Sequence, residues 1–141
     1  MRVIVNEPHI STLESVVLET FQKGTGILLP IERNKNFSWA IERIFFISNQ
    51  SEEVRGKHAH KSCKQFFVCV SGSVTVLCTD GQNERKFILD GLGNALYVPS
   101  GIWVTLNMKS NSAIAVITDQ EYDESDYIRD WPSFLKFKTT I

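Results

Sequence analysis

The chain has 141 residues, enough to bury one core and short for two, with 43% of them hydrophobic and 22% charged. Its 15 Lys and Arg against 16 Asp and Glu leave a formal net charge of −1, which excludes the broad basic field of a non-specific nucleic-acid binder. No run of about 18 apolar residues is present to span a bilayer, and Met1 to Glu7 lacks the apolar stretch of a signal peptide. The expectation is a single cytoplasmic domain over residues 1–141, with no nucleic-acid or membrane partner.

In chain order, Ser11 to Phe21 reads as a short helix, with Ser11 as N-cap and Glu14 completing a capping box. Predicted strands follow at Gly26 to Glu32, Ala40 to Ser48, Lys57 to His60, Lys64 to Ser71, Ser73 to Thr79, Glu84 to Leu89, Ala95 to Val98, Trp103 to Met108 and Ala113 to Thr118. Turn formers separate them: Ser71-Gly72-Ser73, Asp80-Gly81, Asp90-Gly91, Ser100-Gly101 and Ser110-Asn111-Ser112. Short β-branched and aromatic runs at this spacing predict an all-β jelly roll or comparable barrel. After the acidic run Glu121 to Tyr127, one or two helical turns are expected to lay Tyr127, Trp131 and Phe134 against the barrel, as packing of a terminal segment. Cys63, Cys69 and Cys78 are odd in number and unpaired in spacing, which argues against a disulfide framework; Cys69 and Cys78 read as small core residues.

The most informative stretch is Arg55-Gly56-Lys57-His58-Ala59-His60, followed by Gln65 and Gly72. Side chains two apart on a strand share a face, so the imidazoles make a pair beside two cations. Imidazole titrates near neutrality and suits proton transfer. A catalytic transition metal needs three or four N, O or S donors. Gln65 is a poor substitute for a carboxylate.

This stretch resembles the first motif of the cupin superfamily, and Gly93 to Val104 resembles the second, with Val104 where metal-binding cupins place a third histidine. Two expected ligands are missing, so the resemblance implies a metal-free site without cofactor. More specifically, the chain is similar to the sugar nucleotide 3,4-ketoisomerases of the WxcM-like cupin family, which act on dTDP-4-keto-6-deoxyglucose. The matching pieces are Gly26 to Glu32, Glu42 to Ile47, Arg55 to Lys61, Gln65, Val70 to Val74, Leu96 to Pro99, Trp103 and Tyr122 to Asp130. The resemblance implies a cupin jelly-roll barrel with short terminal helical segments, in a homodimer with exchanged N-terminal strands and a dTDP-linked keto sugar in each barrel. The family's usual place is the making of 3-amino sugars for bacterial surface polysaccharides, with a pyridoxal phosphate aminotransferase downstream.

By position, His60 matches the family's general base and His58 its companion, which polarises the ketone or holds the enediolate. Arg43 and Arg55 match arginines near the ligand, and a guanidinium fork suits diphosphate oxygens. Lys57, Gln65 and Trp103 complete the expected binding set. Phe45 stands where the family usually has tyrosine, and Thr25 and Val104 replace larger polar residues bordering the sugar. Rival readings are a related nucleotide-sugar epimerase and a non-catalytic cupin that only binds the sugar nucleotide. In a D-gluco ring the C3 hydrogen lies on the α face. A base that removes it and reprotonates C4 from the same side delivers the galacto configuration. A gluco product needs an acid on the other face, which Val104 cannot supply and for which Thr25 is a poor donor.

Overall fold

In the computed structural model, which describes residues 10–139, the alternating middle of the chain forms two packed five-stranded antiparallel sheets. The first contains β1 (Ser15–Val17), β9 (Asn94–Val98), β6 (Gln65–Ser71), β11 (Ala113–Thr118) and β4 (Arg43–Ser48), in that order. The second runs β12 (Tyr127–Ile128), β5 (Glu53–His60), β10 (Trp103–Met108), β7 (Ser73–Thr79) and β8 (Glu84–Asp90). A hairpin of β2 (Phe21–Lys23) and β3 (Gly26–Leu28) stands apart from both. This all-β arrangement is the jelly-roll barrel of the cupins. Among the described residues no helix is long and apolar enough to cross a membrane.

Alternation decides which side chains enter the barrel. Val104, Leu106 and Met108 of β10 pack with Val74, Val76 and Cys78 of β7 and, from the facing sheet, Phe67, Cys69, Ile114 and Val116. β6 breaks the alternation, being buried from Gln65 through Cys69, because its outer face is covered as well. There Phe66 and Val68 lie under Leu29, Ile31, Phe37 and Trp39, the last two rings stacked at 4.2 Å. Full burial of Phe66 and Val68 is worth about 2 kcal/mol each by transfer, and the partly buried overlay from the 29–39 segment is what keeps water off them on this face.

The N-terminal helix does not form. Ile10–Thr12 makes a 3-10 turn, and β1 adds to the edge of the first sheet, Ser15 opposite Leu96. The β-branched pair Val16-Val17 favours extended backbone, and the β9 edge offers unpaired backbone groups, so sheet pairing outweighs the capping box. Arg85 turns its guanidinium onto the carbonyls of Ile10, Ser11 and Leu13, which a helix would have used internally. The predicted Gly26 to Glu32 strand stops at Leu28 so that Leu29 and Ile31 can cover the sheet, while β5 begins earlier than expected, at Glu53. At the other end, α1 (Trp131–Lys138) is capped by Asp130, whose carboxylate accepts the Ser133 amide at 2.9 Å, with Pro132 in the first turn. α1 buries Phe134 against Ala59 and Ile128.

Candidate active site

The site begins at a bulge. Gly56 and Lys57 both have positive φ, +86° and +63°, and the β5 to β10 register shifts there. A Cβ on Gly56 would lie 2.9 Å from the Val104 carbonyl oxygen, so the close approach of the strands requires glycine. The bulge pushes Lys57 out to solvent and brings His58 opposite Val104.

A cavity of about 390 Å³ opens here, the size of a small-molecule pocket. Of the residues expected to bind or react, it gathers His58, Arg43, Arg55, Gln65, Phe45 and Val104. It does not gather the other four. Lys57 is exposed and does not line this cavity, and Thr25 lies exposed on the turn between β2 and β3. Trp103 packs edge-on against Trp131 at 5.4 Å and beside Phe134 at 5.5 Å, so its surroundings are those of a core residue under α1. His60 borders a much smaller space behind the main cavity, with Arg43, Gln65 and Tyr127 common to both.

The imidazoles stand edge to face with centroids 5.3 Å apart, in unlike surroundings. His60 is 6% exposed, and its Nδ1 lies 3.0 Å from Asp126 Oδ2. Asp126 also accepts the Ser62 amide and hydroxyl on Oδ1, at 2.9 and 2.7 Å, and the Cys63 amide on Oδ2 at 3.2 Å. Burial alone would push its carboxyl up; the bonds from Ser62, His60 and Cys63 outweigh it and hold the group below the usual carboxylate range. An ionised carboxylate only accepts, so His60 carries its proton on Nδ1 and presents a lone pair at Nε2. That Nε2 is buried without a hydrogen-bond partner, as is Nδ1 of His58. Burial, reinforced by the field of His60, lowers His58 to about 4. Burial also lowers His60, with Asp126 pulling the other way. Both rings are neutral at pH 7, the form a base requires.

Among the described residues, His60, Cys63 and Asp126 place donor atoms within 4.8 Å of one another. Burial, with the fields of Asp119 and Asp126, raises the Cys63 thiol to about 12, which removes it as a neutral-pH nucleophile. A cupin-type metal does not fit the cavity itself, where Val104 pairs with His58 and His60 is turned to Asp126.

The segment expected only to pack contributes the remaining wall. Tyr127 pairs with His60 across β12 and β5, and its ring centroid lies 5.0 Å from His58 and 4.3 Å from His60. Arg129 sits over that ring at 4.2 Å and is held by Glu124 through bonds of 2.6 and 2.9 Å. The same pairing, with a bond from Tyr122, brings Glu124 to about 2. Asp126, Tyr127 and Arg129 were missed as site residues because an acidic run followed by aromatics reads as solvated chain and core. The available signal was the match of Tyr122 to Asp130 to the family.

Residues 11–139 match the WxcM-like, C-terminal family (FdtA). A TDP-4-oxo-6-deoxy-alpha-D-glucose-3,4-oxoisomerase from Aneurinibacillus thermoaerophilus is 38% identical over 118 residues, which cover 82% of this chain and 85% of that one. Two solved structures from Campylobacter jejuni are similar throughout. WlaRB, a TDP-quinovose 3,4-ketoisomerase, is 29% identical with a TM-score of 0.83, over 90% of this chain and 99% of its own. WlaRA, a TDP-fucose-3,4-ketoisomerase, is 28% identical with a TM-score of 0.81, over 90% and 96%. The chain belongs to the WxcM-like family.

Proposed function

We propose that this chain is a TDP-sugar 3,4-ketoisomerase that converts TDP-4-keto-6-deoxy-D-glucose to the galacto-configured 3-keto sugar by metal-free general acid and base catalysis. The observation that carries the reading is the neutral His58 imidazole lining a cavity that also holds Arg43, Arg55 and Arg129. Guanidinium forks suit the diphosphate, and a neutral imidazole suits removal of the C3 proton, acidified by the neighbouring ketone. What supports His58 as that base, in place of His60, is access: His58 lines the cavity, whereas Nε2 of His60 is enclosed behind it. His60, oriented by Asp126, then serves as the companion that holds the His58 ring.

The C4 configuration rests on the wall facing His58. That sheet contributes Arg43, Phe45, Ile47, Gln65, Phe67 and Val116 to the cavity, none with a proton to give near neutrality. Reprotonation from the histidine side yields the galacto product. Similarity does not choose, since the fucose and quinovose enzymes differ by one percentage point of identity. The product's C3 ketone suits amination by a pyridoxal phosphate aminotransferase.

A homodimer completes the proposal. Its support is the outer face of β4, where Ile44 and Phe46 are 52% and 69% exposed beside an apolar groove lined by Leu29, Ile41 and Val70. The proposal includes the exchange of N-terminal strands between the two subunits.

The test is to incubate the protein with TDP-4-keto-6-deoxyglucose and follow the ring protons by NMR. A 3-keto sugar with a small H4 to H5 coupling is expected. A large coupling gives the gluco product and rejects the same-face mechanism, and unchanged substrate rejects the activity.

A further inference from the structure

Moving a ketone from C4 to C3 needs a second proton path besides the carbon base. As the base takes the C3 proton, the C3–H electrons form the C3–C4 double bond and the carbonyl π pair moves to O4, which must receive a proton. In the second half, O3 gives up its proton, the C3 carbonyl forms, and the double-bond electrons take a proton at C4 from the imidazolium. A single group that donates to O4 and then accepts from O3 ends as it began, so neither oxidant nor cofactor is required.

The cavity lining leaves one side chain for this work. Arg43, Arg55 and Arg129 are permanent cations that do not give up protons, and Gln65 has none to give. Glu53 is paired with Arg55 at 3.8 Å. His58 is occupied by the carbon-bound proton in the proposed reaction. Tyr127 is the remaining candidate and, among the described residues, the only hydroxyl-bearing one that lines the cavity, Phe45 having none. Among the described residues no group hydrogen-bonds the Tyr127 hydroxyl, so it is free for a ligand. Its ring, in contrast, is held: by the β12 to β5 pairing, by both imidazoles and by the Arg129 guanidinium.

We infer that Tyr127 is a catalytic residue whose phenol donates a proton to O4 and recovers one from O3, while the imidazole serves C3 and C4. This rests on the ketoisomerase reading above. The experiment compares wild type and Tyr127→Phe, which keeps the ring contacts and removes the hydroxyl. Expected are a fall in kcat of about 10²-fold or more, KM within a few-fold and an unchanged melting temperature. Replacement of Tyr127 by 3,5-difluorotyrosine, a stronger acid of nearly the same shape, should restore turnover and move the alkaline side of the kcat profile to lower pH. Near-wild-type kcat in Tyr127→Phe overturns the relay alone, and so does a loss accounted for by raised KM and lowered melting temperature. A wild-type protein that leaves the keto sugar unchanged removes the ketoisomerase reading itself.

Discussion

The open cavity around His58 and the closed space around His60 are built from the same strand and share Arg43, Gln65 and Tyr127 as their partition. Yet they treat an imidazole in different ways. On the open side, burial and the neighbouring ring keep His58 neutral, and access to a ligand remains. On the closed side, a fully bonded carboxylate fixes the tautomer and orientation of His60, and ligand access is lost. One strand thus divides a pair of identical side chains into one that meets the cavity and one that meets a carboxylate.

The comparison breaks most sharply on the two histidine-to-asparagine variants. His58→Asn is expected to lower kcat by about 10²- to 10⁴-fold with nucleotide binding retained, the range for loss of a general base. His60→Asn, which leaves the base present but less well held, should cost up to about 10²-fold. If steady-state kinetics give the reverse order, the base is His60 and the roles exchange.

Asp126→Asn tests the closed side. The amide offers one acceptor oxygen in place of two, so either the Ser62 amide and hydroxyl or the Cys63 amide and His60 lose their acceptor, costing about 1–3 kcal/mol of stability for each buried donor left unpaired, read by denaturant titration. An unchanged midpoint would remove the carboxylate from the argument.

A graded effect is expected from pH. His58 has a folded pKa of about 4 against 6.5 unfolded, so between those values the unfolded chain binds more protons. Stability is therefore complete above about pH 6.5 and is lost progressively as the pH falls to about 4. His60 is lowered too and adds in the same direction. Thermal melts from pH 4 to 8 check the sign, and His58→Asn should flatten the slope.

The smallest effect expected is none: dialysis against a chelator should leave activity unchanged, because Val104 and Gln65 stand where further ligands would be. Loss of activity restored by one metal would reverse this.

Much of the fold was legible because β10 and β7 alternate strictly and because turn residues such as Gly72 have no substitute. A Cβ at Gly72 would lie 2.7 Å from Ser112 Cα. The N-terminal helix was misread because a capping box is local, whereas the free edge of β9 that drew Val16 and Val17 into pairing is distant in sequence. Arg43, Phe45, Gln65 and Val104 meet at the cavity since they lie on inward positions of strands whose period is readable, whereas Arg55 and His58, three apart, both reach it through the bulge at Gly56 and Lys57. Thr25 and Trp103 do not, one being carried away on the β2 to β3 hairpin and the other taken up by Trp131 and Phe134.

By itself the sequence determined the class of architecture and the presence of a histidine pair among cations, since two-residue periodicity and spacing along one strand are local properties. Only the tertiary structure decided which imidazole meets the cavity and which meets a carboxylate. Asp126 and His60 are 66 positions apart, and Tyr127 reaches both rings through a two-residue strand that no local pattern announces. Long-range pairing brought them together, and with them the distinct environments that give equal side chains unequal chemistry.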